Sequence, residues 1–323
     1  VFVEFKRMGG YFPSISKLGS VPLETHRHRL NPPTDLRDNR LLASFSWPSV
    51  QKWCGGALFF YHQPHVSMAQ SKRILFIAGE VKPFAEVSEV ADLTRALPEQ
   101  LQAAGNFEAR ITMPRYGTIN ERRNQLHEVI RLSGTDVPMG DTTETLTVKV
   151  ASLPDIRLQV YFMDHDGYFG RSAVASDDDE SAFDDNDART LFFDRAVLET
   201  MRKLRWGPDV IHAFGWVSGL VPLLLNSEYA GDEHLGAAKV VYTPDDVDTT
   251  TTLSESFLAK HGLPTDDLDG ATLAEAGERH ADAVIYPPSL APTGGHPQFD
   301  ADAEARAEQL VTLYDEMLSE VPA

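Results

Sequence analysis

The sequence predicts an α/β protein built on a doubly wound, mostly parallel, Rossmann-like sheet, and two observations predict it. Short apolar runs of strand length alternate along the chain with longer stretches in which apolar residues recur every three or four positions. The short runs are apolar throughout, which is typical of parallel strands that are buried on both faces. Sheets of this kind bind ligands at the carboxyl ends of their strands, so we expect the functional residues there.

The first strand–helix–strand unit follows Ser71. Residues 73–78 (RILFIA) form the first predicted strand, and residues 109–113 (ARITM) form the second. Between them lies a predicted helix, kinked at Pro98 and ended by Gly105. Its apolar positions have helical spacing and are Val87, Val90, Leu93, Leu97 and Leu101. A crossover of this kind between parallel strands is right-handed.

The same alternation continues to residue 286. Strands are predicted at 146–150, 158–163, 209–212, 239–243 and 283–286, and the first two are candidates for a hairpin. Helices are predicted at 187–205, 217–229 and 252–261. A chain of 323 residues is long enough for one large domain or two small ones with a buried core.

Three segments divide the chain. Residues 1–67 lack sustained periodicity and are interrupted by prolines. Because the regular pattern starts directly after Met68, we interpret them as a mis-assigned upstream extension, with a disordered tail as the alternative. Residues 68–290 form the predicted Rossmann-like domain. Residues 291–323 are expected to be a linker and a terminal amphipathic helix, whose apolar face is Ala303, Ala307, Leu310, Val311, Tyr314, Met317 and Leu318.

The chain is strongly acidic, and its charge is unevenly distributed. The formal charge is −19, and the eight Lys/Arg and four Asp/Glu of residues 1–67 give +4 there, which leaves −23 for the rest. A surface of that sign repels nucleic acid phosphates and anionic membranes, so neither is expected as a partner. No apolar run reaches the roughly 18 residues of a membrane-spanning helix. The single cysteine, Cys54, fits a reducing compartment, and we expect a cytoplasmic protein.

An acidic stretch precedes the predicted helix at 187–205. It contains Asp177, Asp178, Asp179, Glu180, Asp184, Asp185 and Asp187. Because it has no turn glycine and lacks the alternating ligand spacing of an EF-hand, we interpret it as a solvated loop and assign no metal. We also assign no cofactor, since the sequence contains no zinc spacing, P-loop or Gly-x-Gly-x-x-Gly fingerprint.

Five stretches together carry a family resemblance. They are residues 72–98 (KRILFIAGEVKPFAEVSEVADLTRALP), 113–117 (MPRYG), 164–171 (DHDGYFGR), 185–199 (DNDARTLFFDRAVLE) and 208–224 (PDVIHAFGWVSGLVPLL). In this order they resemble the amino-terminal domain of glycogen and starch synthases, which make α-1,4-glucan from ADP-glucose or UDP-glucose. The resemblance implies the GT-B architecture, in which two Rossmann-like halves face each other across a cleft. This chain corresponds to the amino-terminal half.

Two motifs differ from those that the resemblance implies. Synthases carry Lys-x-Gly-Gly-Leu in the loop after the first strand, where the nucleotide sugar binds, but residues 86–90 read Glu-Val-Ser-Glu-Val. Glu86 and Glu89 are therefore expected to face the place of a diphosphate and to repel it. The second motif, His-Ala-His-Asp-Trp-His, reads His-Ala-Phe-Gly-Trp-Val here, which keeps His212 and Trp216 but loses two histidines and an aspartate.

Seven residues match the remaining family motifs and are the candidate substrate-binding residues. They are Arg115, Tyr116, Asp164, Tyr168, Arg171, His212 and Trp216. Arginine and tyrosine suit sugars because they offer fixed donors beside flat faces that pack on a sugar ring. The alternative is structural. In that interpretation Tyr168 and the phenylalanines near it fill the core, Asn186 and Arg189 brace their helix, and His212 is a satisfied histidine at a strand end. No catalytic residue is assigned.

The sequence leaves two main functions open. The first is a synthase-like domain without independent glucosyltransferase activity, which binds a glucan or sugar or acts as a regulatory subunit. The second is a glucosyltransferase that extends α-1,4-glucan from ADP-glucose together with a separate carboxyl-terminal partner. An uncovered cleft face and a terminal amphipathic helix would also suit a partner protein or a homodimer. A new reaction on the old scaffold is a third hypothesis, for which no residue indicates the chemistry.

Overall fold

The computed structural model describes residues 71–105, 107–177, 181–248, 250–265 and 268–319, so the predicted extension at 1–67 lies outside the described residues. The strands are β1 Lys72–Ala78, β2 Phe107–Pro114, β3 His127–Glu128, β4 Thr135–Met139, β5 Thr142–Ser152, β6 Gln159–Asp164, β7 Val210–Phe214, β8 Lys239–Thr243 and β9 Ala283–Val284. The α-helices are α1 Val90–Ala104, α2 Asp166–Phe169, α3 Asn186–Leu204, α4 Val221–Asn226, α5 Glu255–His261, α6 Leu273–His280 and α7 Ala303–Ser319, and a short 3-10 helix spans Trp216–Ser218.

These strands form one mixed sheet in the order β3-β5-β6-β2-β1-β7-β8-β9, with β4 paired to β5. From β6 to β9 every neighbouring pair is parallel, and β5 joins β6, β4 and β3 in antiparallel fashion. The chain leaves β1 towards β2 on one side and reaches β7 on the other, so the strand order reverses between β1 and β7. The predicted α/β fold class is confirmed, and a crevice for a ligand is expected at this reversal.

The central strands are buried because they consist mostly of apolar residues. Residues 74–78 of β1 have no exposed surface, and all five residues of β7 are buried. Each fully buried leucine, isoleucine or phenylalanine stabilises the fold by roughly 1.5–3 kcal/mol relative to an exposed one. The apolar runs that predicted these strands are therefore also the main part of the core.

Helices cover both faces of the sheet. Phe76 of β1 is in register with His212 of β7, and the two rings stack on the face where Tyr314 of α7 bonds to His212. Val160 of β6 pairs with Ile111 of β2, which in turn pairs with Phe76, so Val160 lies on the same face of the sheet as Phe76. Met163, three residues further along β6, points to the opposite face, where Thr200 of α3 lies against its sulfur at 3.7 Å. The doubly wound arrangement follows from this alternation.

The helix α7 packs against α1 and against the sheet. Leu310 and Tyr314 have no exposed surface, and Lys72 at the start of β1 forms an ion pair with Asp315. The predicted apolar face therefore has a partner within the described part of the chain. The division of the chain at residues 68 and 290 stays a prediction.

The structure differs from the sequence prediction in several elements. The predicted helix at 217–229 is broken into the 3-10 helix and α4, which has a proline in its first turn. The predicted strand at 283–286 pairs over only two residues, and the strand β4 and the helix α6 were not predicted. Among the described residues, no helix combines the length and apolar character that crossing a membrane requires.

Candidate functional site

A cavity of about 760 Å³ opens at the carboxyl ends of the parallel strands. Its walls come from residues 84–87 after β1, Thr118 after β2, residues 172–177 after α2, and residues 246–248 after β8. These segments meet where the strand order reverses, which is the ordinary place of a ligand in an open α/β sheet. We therefore treat this cavity, called the cleft below, as the candidate functional site.

The cleft is acidic and partly apolar. Its carboxylates are Glu86, Asp177, Asp246 and Asp248, and no lysine, arginine or histidine of the described residues lines it. Apolar surface comes from side chains such as Val87, which is 59% exposed. Carboxylates accept hydrogen bonds from hydroxyl groups and repel anions. The walls therefore suit a neutral hydroxylated ligand better than a phosphate.

The loop between β1 and α1 wraps around a carboxylate of its own chain. Glu80 is 2% exposed and accepts hydrogen bonds from the backbone N–H of Val87, from the N–H of Ser88 at 2.9 Å and from the Ser88 hydroxyl at 3.0 Å. Burial raises the pKa of Glu80, and the nearby charge of Asp246 raises it further, while these hydrogen bonds lower it. The N–H groups of Val87 and Ser88, just before α1, are thus bonded within the chain.

The charged side chains of this loop are paired locally. Lys82 Nζ lies 3.0 Å from Asp92 and 3.5 Å from Glu86, and its hydrogen bond to Asp92 raises the Lys82 pKa. Glu89 accepts a hydrogen bond at 2.9 Å from the backbone N–H of Ser289. Glu86 lines the cleft, whereas the carboxylate of Glu89 is bound to Ser289 and does not line it. That the two glutamates face the place of a diphosphate stays a prediction.

Arg115 and Asp164 lie at the ends of neighbouring strands and pair with each other. Arg115 Nε is 2.7 Å from Asp164, and Asp164 also lies 2.7 Å from Lys149. Burial lowers the pKa of Arg115, but the charge of Asp164 and its hydrogen bond outweigh burial, and the net shift is upward. Glu121 bonds to Lys149 at 2.7 Å and completes the network. These charges hold the ends of β2, β5 and β6 together.

Tyr116 follows Arg115 and is fully buried. Its hydroxyl has no hydrogen-bond partner among the described residues, and its ring packs edge-on against Phe169. Burial raises the Tyr116 pKa, so the hydroxyl stays protonated. The hydroxyl lies near Gly79, where an added Cβ would be 3.5 Å from it. Tyr116 thus packs beneath the loop after β1 instead of lining the cleft.

Tyr168 and Arg171 lie on and just after α2. The Tyr168 ring stacks on Phe192 with centroids 4.7 Å apart. Arg171 binds Asp185 through two hydrogen bonds of 2.6 and 2.5 Å and lies over the ring of Phe183. Both side chains are therefore braced by their neighbours, with Arg171 directly before the cleft wall at 172–177.

His212 lies within β7 and is fully buried. Its Nδ1 is 2.7 Å from the Tyr314 hydroxyl, and its Nε2 is 2.9 Å from the Thr243 hydroxyl. Burial lowers the pKa of His212 to about 3, so the ring is neutral at ordinary pH. A neutral ring with both nitrogens satisfied favours the structural interpretation of this histidine.

Trp216 begins the 3-10 helix after β7 and is 1% exposed. Its backbone N–H donates to Asp245 at 3.1 Å, and burial raises the pKa of Asp245 to about 7. Gly215 precedes it with φ +74°, and a Cβ there would come 2.0 Å from Asp245 Oδ2. The position after Phe214 therefore requires glycine. Phe214 and Trp216 fill the interior beside the cleft, which stays open.

Sequence reasoning missed three buried carboxylates around the cleft, Glu80, Asp245 and Asp248. Asn186 donates to Asp248 at 2.7 Å and to the carbonyl of Ala175 at 2.9 Å, and the guanidinium of Arg189 donates to the carbonyls of Tyr168 and Val174 at 2.8 and 2.7 Å. Asn186 and Arg189 thus tie the cleft wall to α3, as the structural interpretation expected. Asp245 and Asp248 follow β8, as Glu80 follows β1. Their position directly after a buried strand is the sequence signal that could have identified them.

None of the seven candidate residues lines the cleft; His212 lies at the centre of β7, and the other six lie at or after the carboxyl ends of strands. Their role as substrate-binding residues stays a prediction. In the part of the chain that the structure describes, no three histidine, cysteine, aspartate or glutamate side chains are grouped so as to hold a metal ion.

Comparison with known proteins identifies similar sequences. A family model described as the starch synthase catalytic domain matches residues 73–286. A glycogen synthase of Chlorobium limicola is 42% identical over 176 residues, which are 54% of this chain and 36% of that protein. A glycogen synthase of Chlorobaculum parvum is 38% identical over 220 residues, which are 66% of this chain and 45% of that protein. The chain thus spans between about a third and a half of the length of these relatives.

Comparison of structures gives a consistent fold. The catalytic domain of starch synthase IV from Arabidopsis thaliana, solved with ADP and acarbose bound, superposes with a TM-score of 0.56. The match covers 76% of this chain and 50% of that chain, with 20% sequence identity. At this identity the likeness concerns the fold, which is the GT-B type that the sequence predicted for one half.

Proposed function

Because the chain belongs to the starch synthase catalytic-domain family, we propose that it is a synthase-like domain that binds a glucan or related sugar in its cleft and has no independent glucosyltransferase activity. In this role it acts as a binding or regulatory subunit. The observation that carries the proposal concerns the Glu80 carboxylate. It accepts hydrogen bonds from the backbone N–H groups of Val87 and Ser88, just before α1. This contact supports the proposal, because the two backbone donors are already bonded and are not available to a sugar diphosphate.

The electrostatics of the loop support the loss of nucleotide-sugar binding. A diphosphate at this point would have to displace Glu80 from two backbone donors and lie beside Glu86 and Asp246, both exposed at the cleft. The only cation of the loop, Lys82, is paired with Glu86 and Asp92. Like charges in a partly desolvated cleft are unfavourable by several kcal/mol.

The shape and lining of the cleft support a neutral sugar as the ligand. A volume of about 760 Å³ falls within the range of small-molecule sites, which run from roughly 300 to 1,000 Å³. Its carboxylates can accept hydrogen bonds from sugar hydroxyls, and Phe84, Val87 and Val247 offer apolar surface to the faces of a sugar ring. A short α-1,4-linked oligosaccharide fits both features.

Calorimetric titration tests the proposal. Maltohexaose is expected to bind saturably, whereas ADP and ADP-glucose are expected to give no measurable heat. Asp246→Asn, in the cleft, is expected to weaken maltohexaose binding severalfold. The control Asp141→Asn, which removes the same charge at the exposed turn between β4 and β5, should leave it unchanged. Binding of ADP-glucose, or flat titrations with every oligosaccharide tried, would contradict the proposal.

The family itself supports a second candidate function. In it the chain supplies the acceptor-binding half of a glucosyltransferase, and the nucleotide-binding half is a separate carboxyl-terminal partner. This function predicts incorporation of labelled glucose from ADP-glucose into glycogen when a synthase carboxyl-terminal half is added, and none without it. Glucose incorporation should then be compared between mixtures that contain the wild type and mixtures that contain Glu80→Ala. Equal incorporation by the two mixtures would show that the loop contact does not prevent transfer, and would favour this function over the binding function.

A further inference from the structure

A second cavity, of about 430 Å³, lies at the opposite edge of the sheet from the cleft. Its walls come from the first residues of β2 and β6 and from the loop that joins β5 to β6. Parallel strands begin at one edge of a sheet and end at the other, and a strand of six residues such as β6 spans roughly 20 Å. This cavity, called the amino-edge pocket below, is therefore a separate site.

The amino-edge pocket is basic, unlike the cleft. Arg110 and Arg157 line it, and Glu108 is its one carboxylate among the described residues. Glu108 is engaged elsewhere, because it accepts a hydrogen bond from the Trp206 indole N–H at 2.9 Å and lies 3.7 Å from Arg73. The two arginines are thus only partly balanced, which favours an anionic ligand.

The guanidinium of Arg110 is held by aromatic rings and keeps unused donors. It lies 4.5 Å from the centre of the Trp206 ring and 5.9 Å from that of Tyr161. Its Nη1 is buried with no hydrogen-bond partner among the described residues, and its Nη2 is 3.8 Å from Glu108, which is longer than a hydrogen bond. Stacking fixes the plane of the group without using its N–H donors, an arrangement that suits recognition of a phosphate or carboxylate.

The remaining lining suits hydroxyl groups. Gln102, Ser152 and Gln159 are exposed polar side chains that can both donate and accept hydrogen bonds. The half-buried Tyr161 adds an aromatic surface. We propose that the amino-edge pocket binds a small hydroxylated anion, whose phosphate or carboxylate group pairs with Arg110 and Arg157 while its hydroxyls bond to the amide side chains.

This site does not depend on the glucan function proposed for the cleft, because the two share no lining residue. A failure of one proposal leaves the other standing. A ligand here would bridge the end of α1, the start of β2 and the β5–β6 loop, and would therefore stabilise the folded domain increasingly as its concentration rises above its Kd.

The test is an NMR titration read at the Trp206 indole N–H, which is bonded to Glu108 beside the pocket. The probes are glucose 1-phosphate, gluconate, inorganic phosphate and glucose. Saturable shifts with glucose 1-phosphate or gluconate, stronger than with inorganic phosphate, are expected, and the stronger of the two identifies the anionic group. The proposal would be overturned if inorganic phosphate shifted the signal as strongly as glucose 1-phosphate and gluconate do. It would also be overturned if only glucose, or none of the four probes, shifted it.

Matched variants assign the binding to the arginines. Arg157→Gln, in an exposed loop, and Arg110→Gln are each expected to weaken binding about tenfold, because hydrogen bonds to charged groups are the stronger class. Arg131→Gln removes the same charge from an exposed position outside the pocket and should change nothing. If Arg157→Gln binds the ions as tightly as the control Arg131→Gln, the ions bind elsewhere, and this result overturns the proposal even if Arg110→Gln fails to fold.

Discussion

Two turns beside the strand reversal bind their backbone N–H groups to internal carboxylates, yet their surroundings differ. After β7, Asp245 accepts from Trp216 at 3.1 Å and Asp194 accepts from Leu220 at 3.0 Å, within a turn that is buried throughout. After β1, Glu80 accepts from Val87 and Ser88, within a loop whose outer side faces the cleft.

The difference shows that a hydrogen bond from a backbone N–H to an internal carboxylate can have different consequences in the two turns. In the buried turn after β7 no ligand can reach the N–H groups, so the carboxylates contribute only to stability. In the loop after β1 the N–H groups lie beside the candidate cleft, so we expect the carboxylate also to influence what binds there. The β7 turn should therefore respond to mutation in its free energy of unfolding, and the β1 loop in its ligand preference.

Gly215→Ala should have the largest effect. The added Cβ would lie 2.0 Å from Asp245 Oδ2 at a φ of +74°, so both the backbone and the carboxylate would have to shift. Together strain and the lost contact should lower the free energy of unfolding by about 4 kcal/mol. Urea denaturation measures this, and Gly231→Ala, where nothing lies within 4 Å of the new Cβ, is the control. Equal stability of the two variants would show that the β7 turn is not constrained.

The pH dependence of stability should report Asp245. Burial raises its pKa to about 7 from 3.8, so between these values the folded state binds a proton that the unfolded state releases. Its contribution to stability is therefore complete below about pH 4 and lost as the pH rises to 7. Relative to Asp245→Asn, the wild type should lose about 2–3 kcal/mol between pH 5 and pH 8. Parallel stability curves for the two proteins would refute this assignment.

Asp194→Ala should destabilise the protein by a smaller amount. The N–H of Leu220 would lose its acceptor in a buried site, which costs about 2 kcal/mol. Chemical denaturation with Asp141→Ala, an exposed aspartate, as the control measures the difference. A loss no greater than that of the control would mean that the carboxylate contributes nothing to the turn.

The loop after β1 can be changed to test its ligand preference. The triple variant E86K/S88G/E89G, which restores the family's lysine and glycines, is expected to bind ADP at least tenfold more tightly, or about 1.4 kcal/mol, than the wild type. Glu99→Lys, an exposed substitution on α1, controls for the charge reversal at position 86. Calorimetry gives both affinities. If the triple variant also fails to bind ADP while Glu80→Ala gains binding, the internal carboxylate rather than the loop sequence is the barrier.

The regular part of the fold was predictable where one sequence signal dominated. The strands β1, β7 and β8 are apolar runs, and the prediction of β8 matches its observed bounds. The strand β4 (TDVPM) contains a proline and few apolar residues, and its pairing with β5 decides its conformation. The helix α6 was missed although Thr272 and Glu275 form a capping box, a signal that the sequence does contain.

The site was predictable in its location but not in its contacts. The predicted sheet type led us to expect functional residues at the carboxyl ends of the strands, where the candidate cleft lies. The contact of Glu80 with Ser88 depends on the path of the loop. The contact of Glu89 with Ser289 joins residues that are 200 positions apart. Neither contact has a local sequence signal, because both arise from how the chain returns after packing.

The docking of α7 determines when the domain can complete its fold during synthesis. Lys72 opens the first strand of the sheet, and its ionic partner Asp315 is made 243 residues later. Tyr314, the hydroxyl partner of His212, follows that histidine by 102 residues. Until the ribosome has released both, one side of the central strands remains open to water and to other chains, and molecular chaperones have a surface to recognise.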